Sequence, residues 1–216
     1  MRKIYLIAGL GADSRLFKNI NLPGEEIVLT NWLIPDPDDT LTSYATKLIQ
    51  QYHIQPGSVV IGVSLGGMLT VEIAKQVTLE KAILISSIKT DNEAPFYFRV
   101  FRKAPIYKFT PKGLFARLGF MIKPLFGKME PDDQALFKDM LEKSSPVFIK
   151  WAMGAVLAWR NAVLIPNLYH IVGDKDLVFP IENIKNTTTV IKGGSHIMIF
   201  DKADEINRVL TGILSK

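Results

Sequence analysis

The chain contains no cysteine and only three histidines. Without cysteine there can be no disulfide bond, no thiol nucleophile and no cysteine-bound metal. A histidine-only zinc site is not expected from so few histidines either. We therefore expect neither a metal ion nor a cofactor to take part in the chemistry of this chain.

Long apolar runs are also missing. No stretch approaches the roughly 20 apolar residues that a membrane-spanning helix needs, and we find no repeat or low-complexity tract. The apolar run after the basic start, residues 4–8, is too short for a signal peptide and leads straight into a turn. With 216 residues, 48% of them hydrophobic and 22% charged, the chain has the composition of one globular domain, which we expect to be cytoplasmic.

Short β-branched runs alternate with helical patterns along most of the chain. Six strands are predicted, at residues 3–8, 26–30, 58–63, 81–86, 167–172 and 187–191. Helices are predicted at 41–52 and at about 203–214 from their apolar periodicity. Alternating strands and helices indicate an α/β fold with a doubly wound, mostly parallel sheet. The alternation stops between residues 89 and 161, which we interpret as a helical insertion after the fourth strand.

One stretch, residues 58–68, combines a strand, a sharp turn and a helix, with the pattern G-x-S-x-G at its corner. Side chains at Gly62 and Gly66 would collide with the neighbouring strand and helix. The turn would hold Ser64 in a strained conformation and lift its hydroxyl above the sheet edge. The helix N-terminus behind it would present unpaired N–H groups to a developing negative charge. These features predict that Ser64 is a nucleophile.

A serine hydroxyl needs an adjacent base, and the base needs a third group to orient it. His196 lies in a glycine-rich loop between the last strand and the last helix, where it could meet Ser64. His170 lies within a predicted strand and is better explained as a core histidine, whereas His53 ends a helix and should face solvent. His196 is therefore the predicted base.

The acid should follow the fifth strand, where two aspartates, Asp174 and Asp176, compete. Residues 3–87 and 166–214 contain the G-x-S-x-G motif and could supply a serine, an acid and a histidine in that chain order. In these features they resemble the α/β-hydrolase superfamily. Members of this superfamily commonly have the pattern G-x-x-D, followed by a proline, at this turn. Gly173, Asp176 and Pro180 match that pattern. The resemblance implies that Asp176 is the acid and that Asp174 is a solvated or turn-capping carboxylate.

The resemblance also implies an oxyanion hole of two backbone N–H groups, those of Leu65 and Leu10. Leu10 lies in Ala8-Gly9-Leu10-Gly11, where alanine replaces a histidine that is frequent in the family. The implied division is a core of residues 1–88 and 162–216 with a lid at 89–161. The implied activity is cleavage of a carboxylic ester or thioester of a small or acyl-chain substrate through an acyl-enzyme.

Several alternatives stay open. The same triad serves lyases, acyltransferases and C–C bond hydrolases, and the fold could be kept as a slow or inactive small-molecule-binding protein. A dinucleotide-binding loop at Gly9-Leu10-Gly11 is disfavoured, because Ser14 occupies the third glycine position and no acidic residue ends the second strand.

The insertion is basic and aromatic. Between residues 89 and 128 nine basic residues oppose two acidic ones, a net +7 in a chain whose total is +5. Either the aromatic side chains pack while the lysines are solvated, or an acyl pocket has a basic rim that attracts an anionic substrate or a membrane surface. No nucleic-acid partner is expected, because no binding motif accompanies the charge. The basic residues are Lys89, Arg99, Arg102, Lys103, Lys108, Lys112, Arg117, Lys123 and Lys128, and the aromatic ones are Phe96, Tyr97, Phe98, Phe101, Tyr107, Phe109, Phe115, Phe120 and Phe126.

Overall fold

A computed structural model describes residues 2–103 and 129–216 of the chain. Its centre is one six-stranded sheet, in the order β2-β1-β3-β4-β5-β6, and every neighbouring pair is parallel. This confirms the predicted doubly wound sheet, and the predicted strand ends differ from the observed ones by at most two residues. The strands are β1 (Lys3–Ile7), β2 (Glu26–Leu29), β3 (Val59–Val63), β4 (Lys81–Ile85), β5 (Leu168–Gly173) and β6 (Thr189–Ile191).

The helices that the structure describes are α1 (Leu41–Tyr52), α2 (Leu65–Ala74), α3 (Phe96–Lys103), α4 (Pro131–Lys143), α5 (Pro146–Ala158), α6 (Met198–Asp201) and α7 (Ala203–Leu214). The predicted bounds of α1 and α7 are confirmed. Thr40 caps α1 reciprocally with Ser43: each side-chain oxygen accepts a hydrogen bond from the other residue's N–H, at 3.1 and 3.0 Å. His53, with φ of 51°, ends the helix and is exposed, as predicted.

Helices cover both faces of the sheet. Tyr5, Val60 and Leu84 pack on one face against α1, α2 and α5, whereas Ile4 and Ile61 pack on the other against α6 and α7. Because successive side chains of a strand point to opposite faces, the central strands are expected to be apolar on both faces, and they are, apart from the lysine that begins β4. Every residue of β3 and β4 is accordingly buried.

The insertion contains α3, α4 and α5. At its root, the Asn161 side-chain amide donates to the Lys89 carbonyl at 2.7 Å, and the Asn161 N–H donates to the Asp91 carboxylate at 3.0 Å. These contacts join the start and the end of the 89–161 segment. Its function as a lid remains a prediction. No helix among residues 2–103 and 129–216 is long and apolar enough to cross a membrane.

The basic and aromatic residues of the insertion differ in burial, so they cannot all have the same role. Lys89 is buried and paired with Glu93, and so does not belong to a basic rim. Phe98 is buried, but Phe96 is 71% exposed, beside the exposed Arg99. Ten members of the set lie outside the described residues, namely Lys108, Lys112, Arg117, Lys123, Lys128, Tyr107, Phe109, Phe115, Phe120 and Phe126.

Candidate active site

Ser64 stands between the end of β3 and the start of α2 with φ of 53° and ψ of −114°. This is a sparsely populated conformation for a residue with a side chain. The turn is so tight that a Cβ on Gly62 would lie 2.1 Å from the Gly66 carbonyl oxygen, and a Cβ on Gly66 would lie 2.1 Å from the Ile7 carbonyl oxygen. The two glycines are therefore required by close backbone approach, as the motif predicts.

The structure brings Ser64, His196 and Asp176 together in one chain of hydrogen-bonding groups. His196 Nε2 lies 3.0 Å from Ser64 Oγ, and His196 Nδ1 lies 2.9 Å from Asp176 Oδ2. The three residues follow β3, β6 and β5, whose carboxyl ends meet at one edge of the sheet. His196 and Asp176 are buried and Ser64 is half-buried, so only the serine faces the solvent side of the site to any extent.

The two competing aspartates have different surroundings. Asp176 Oδ1 accepts hydrogen bonds from the N–H groups of Val178 and Phe179, each at 2.8 Å, which hold the carboxylate toward His196. Asp174 Oδ1 instead accepts from the Gly193 N–H at 2.6 Å. Asp174 thus joins the turn after β5 to the glycine-rich loop, and only Asp176 contacts His196.

The loop after β1 reaches the nucleophile. A Cβ on Gly9 would lie 3.3 Å from Ser64 Cβ, and the same loop is held by Trp32, whose indole N–H donates to the Ala12 carbonyl at 2.7 Å. Within the part of the chain that the structure describes, the N–H groups of Leu10 and Leu65 donate no hydrogen bond. These two N–H groups are therefore available as donors, and their role as an oxyanion hole remains a prediction.

The first helix of the insertion packs on the loop that carries Asp176. The Tyr97 hydroxyl donates to the Val178 carbonyl, and the Phe98 ring meets the Phe179 ring edge-on at 6.1 Å. Phe179 in turn meets the His196 ring at 5.5 Å. Burial, followed by the negative charge of Asp176, raises the pKa of Tyr97, so this hydroxyl remains a donor. Sequence reasoning assigned no such role to Tyr97, because aromatic residues are frequent throughout this segment.

One cavity of the described structure lies apart from these residues. Its volume is about 940 Å³, and it opens between the loop at residues 35–42 and α5. Trp151 and Trp159 line it, but Ser64, Asp176 and His196 do not. We therefore do not assign this cavity to the reacting part of a substrate.

A family model described as the alpha/beta hydrolase family matches residues 8–209, and the chain belongs to this family. Similar solved structures include a thermophilic esterase from Thermogutta terrifontis (16% identity, TM-score 0.74) and a bromoperoxidase from Bacillus anthracis (18%, 0.74). A hydrolase from Oleispira antarctica is 13% identical with a TM-score of 0.77. All of this chain is covered in each case, with 90% of the first structure and 92% of the other two. No curated protein matches the sequence. At these identities the structural likeness establishes the fold alone.

Proposed function

We propose that this chain is a serine hydrolase that cleaves a carboxylic ester or thioester through an acyl-enzyme. The observation that carries the proposal is the hydrogen-bonded chain from Asp176 through His196 to Ser64. An acid that orients a base, and a base that contacts the half-buried hydroxyl of a serine with a strained backbone, define the geometry of nucleophilic serine catalysis.

In the first half of the reaction, Ser64 Oγ attacks the carbonyl carbon of the substrate while His196 Nε2 takes the serine proton. Asp176 accepts a hydrogen bond from the Nδ1–H of His196, which fixes the tautomer and stabilises the imidazolium that forms. In this proposal the N–H groups of Leu10 and Leu65 donate hydrogen bonds to the oxyanion that develops on the substrate. The C–O or C–S bond to the leaving group then breaks, and His196 donates its proton to that group.

In the second half, His196 accepts a proton from a water molecule, which attacks the acyl-enzyme carbonyl. The tetrahedral intermediate breaks at the bond to Ser64 Oγ, and His196 returns the proton to the serine. The products are a carboxylic acid and the free enzyme. An alcohol, amine or thiol in place of water would make the same site an acyltransferase, so the proposal includes water as the acceptor.

The segment at 89–161 supplies the substrate-binding surface in this proposal. Its support is the packing of Tyr97 and Phe98 on the Asp176 loop, which places α3 beside the triad. Arg99 and Lys103, on the exposed side of the same helix, would attract an anionic substrate or make weak contact with an anionic membrane surface.

Hydrolysis of p-nitrophenyl esters and acyl-CoAs of graded chain length tests the proposal. The wild type should release the free acid, and Ser64→Ala should lower kcat by about three orders of magnitude or more with the fold intact. Ser58→Ala is a matched control, because Ser58 is a buried serine that directly precedes β3, whereas Ser64 directly follows it. Equal loss in both variants, or an acyl product transferred only to another acceptor, would contradict the proposal.

A further inference from the structure

A second serine, Ser87, contacts the backbone of the proposed nucleophile. Its hydroxyl donates to the Ser64 carbonyl oxygen at 2.7 Å, and the residue is fully buried, two positions after β4. The same carbonyl also accepts from the N–H groups of Gly67 at 2.9 Å and Met68 at 3.3 Å, in the first turn of α2. Ser87 is thus a side-chain donor to this carbonyl from the loop that follows the neighbouring strand, β4.

The hydrogen bond from Ser87 acts on the peptide unit that contains the proposed oxyanion donor. The Ser64 carbonyl and the Leu65 N–H belong to one planar, trans peptide group, so their directions are fixed relative to each other. Holding the carbonyl on the Ser87 side therefore aims the Leu65 N–H to the opposite side, toward the substrate. A hydrogen bond to the carbonyl also polarises the peptide and strengthens its N–H as a donor.

Ser87 is itself held by a buried cluster of ionisable residues. The Ser87 carbonyl oxygen lies 2.9 Å from Nε2 of His170, and Nδ1 of the same ring lies 3.3 Å from Lys89 Nζ. Lys89 Nζ also donates to the Glu93 carboxylate and to the Lys185 carbonyl. All of the ionisable members are buried, with exposures between 0% for His170 and 8% for Lys89.

The order of donors and acceptors follows from these contacts. The carbonyl of Ser87 can only accept, so the proton of neutral His170 is on Nε2 and Nδ1 accepts from the Lys89 ammonium group. Burial, followed by the charge of Lys89, lowers the pKa of His170 to about 4, so the ring is neutral at physiological pH. One directed path of contacts therefore runs from Lys89 through His170 to Ser87 and on to the Ser64–Leu65 peptide.

We propose that Ser87 is a positioning residue that aims the Leu65 N–H at the reacting oxygen, and that the buried Lys89–Glu93–His170 cluster holds Ser87 in place. The inference rests on the proposed function for its catalytic consequence. Its structural part, the orientation of the Leu65 amide, can be measured whether or not the chain hydrolyses esters.

Replacing Ser87 with alanine removes the hydroxyl and keeps the Cβ that packs against Gly67. We expect kcat/KM for an ester to fall by roughly five- to tenfold, through kcat, because the lost contact is one neutral hydrogen bond. Affinity for a trifluoromethyl ketone, whose adduct carries an oxyanion, should fall by the same factor, whereas KM should change little. If Ser87 only stabilised the fold, its loss would not lower kcat/KM and the affinity for the trifluoromethyl ketone by the same factor.

Ser86 provides a matched control. It is adjacent and 1% exposed, but its hydroxyl has no hydrogen-bond partner among the residues that the structure describes. Ser86→Ala should therefore retain kcat/KM within about twofold. An equal loss in Ser86→Ala, or full activity in Ser87→Ala, would overturn the positioning role.

The cluster is tested by two substitutions of His170. His170→Gln keeps an amide N–H near the position of Nε2 and should lose less activity than His170→Leu, which has no donor. The melting temperature of each variant shows whether it is folded. If folded His170→Gln loses as much activity as Ser87→Ala, or folded His170→Leu loses none, the role assigned to the cluster is wrong.

The closing experiment is the two-dimensional ¹⁵N–¹H spectrum of the wild type, Ser87→Ala and Ser86→Ala, recorded together with their ester kinetics. The Leu65 amide signal should move several times further in Ser87→Ala than in Ser86→Ala. Equal displacements would overturn the inference. A wild type that hydrolyses no ester would overturn the proposed function instead, and the Leu65 signal would still decide the positioning.

Discussion

Ser64 Oγ lies 3.0 Å from His196 Nε2, although 132 positions of the chain separate the two residues. The parallel sheet produces this contact. β3 and β6 end at the same edge of the sheet, with β4 and β5 between them. Ser64 directly follows β3, His196 lies in the loop after β6, and the two meet above this edge. His196 is held in this position from its far side by Asp176, 20 residues earlier.

The first prediction separates the two aspartates. Asp176→Asn should lower kcat by about 10³- to 10⁴-fold, because an amide favours the wrong tautomer of His196. Asp174→Asn should cost little, because an asparagine oxygen can still accept from the Gly193 N–H. Steady-state kinetics of both variants on one ester make the comparison. The reverse ranking would mean that Asp174 is the acid.

The second prediction concerns the elbow glycines. Gly66→Ala should destabilise the fold or abolish activity, since its Cβ would lie 2.1 Å from the Ile7 carbonyl oxygen. Gly212, inside α7, has no atom within 4 Å of the position of an added Cβ. Gly212→Ala should therefore raise the free energy of unfolding by about 0.5–1 kcal/mol, through helix propensity alone. Urea unfolding of both variants checks this, and a destabilised Gly212→Ala with normal Gly66→Ala would refute the packing argument.

The third prediction follows from His170. Its pKa falls from 6.5 to about 4 on folding, so the unfolded chain binds the proton more readily than the folded one. The contribution to stability is complete above pH 6.5 and is lost as the pH falls toward 4. Each pKa unit corresponds to 1.36 kcal/mol, so the loss is about 3 kcal/mol.

Urea unfolding between pH 7.5 and 4.5 measures this loss. The matched variant is His170→Gln, which cannot titrate and should have the shallower decline in the free energy of unfolding. The carboxylates that titrate in the same range are common to both proteins and cancel in the difference. Parallel pH profiles would contradict the assigned state of the buried cluster of His170, Lys89 and Glu93.

The fourth prediction concerns the insertion. If apolar side chains line an acyl site, kcat/KM should rise about three- to fourfold per added methylene until the site is full, since each buried methylene contributes about 0.8 kcal/mol. If exposed cations steer an anionic substrate, acyl-CoA turnover should fall as salt rises to about 0.5 M, whereas neutral esters should be indifferent.

The residues to change are Arg99 and Lys103, which are exposed on α3. Arg102 should be kept, because its guanidinium donates to the Leu157 carbonyl and joins α3 to α5. Arg99→Gln with Lys103→Gln should remove the salt dependence and spare neutral esters, whereas Arg208→Gln with Lys216→Gln, at the far end of the chain, should not. A flat chain-length profile with equal salt responses would leave only packing and solvation as roles for these residues.

Sequence patterns predicted the sheet well because each strand is a buried, β-branched run between turns. They also predicted that His170 is a core residue, which its burial confirms. The choice between Asp174 and Asp176 depended on a family resemblance, because the two residues share one turn and differ only in which backbone amides they meet. The path from Lys89 to Ser87 could not be predicted, because Lys89 and Ser87 lie in the loop after β4, whereas His170 lies in β5, about 80 positions later. The pairing register of β4 with β5 brings them together.

Covalent labelling with a fluorophosphonate, followed by peptide mapping, tests the central claim most directly. This probe reacts with an activated serine, so the wild type should carry one adduct, on Ser64, and Ser64→Ala should carry none. Prior heat denaturation should abolish the reaction, because it depends on the contact between Ser64 and His196. An adduct on another residue, or no adduct on a folded sample, would contradict the account of Ser64 as a catalytic nucleophile.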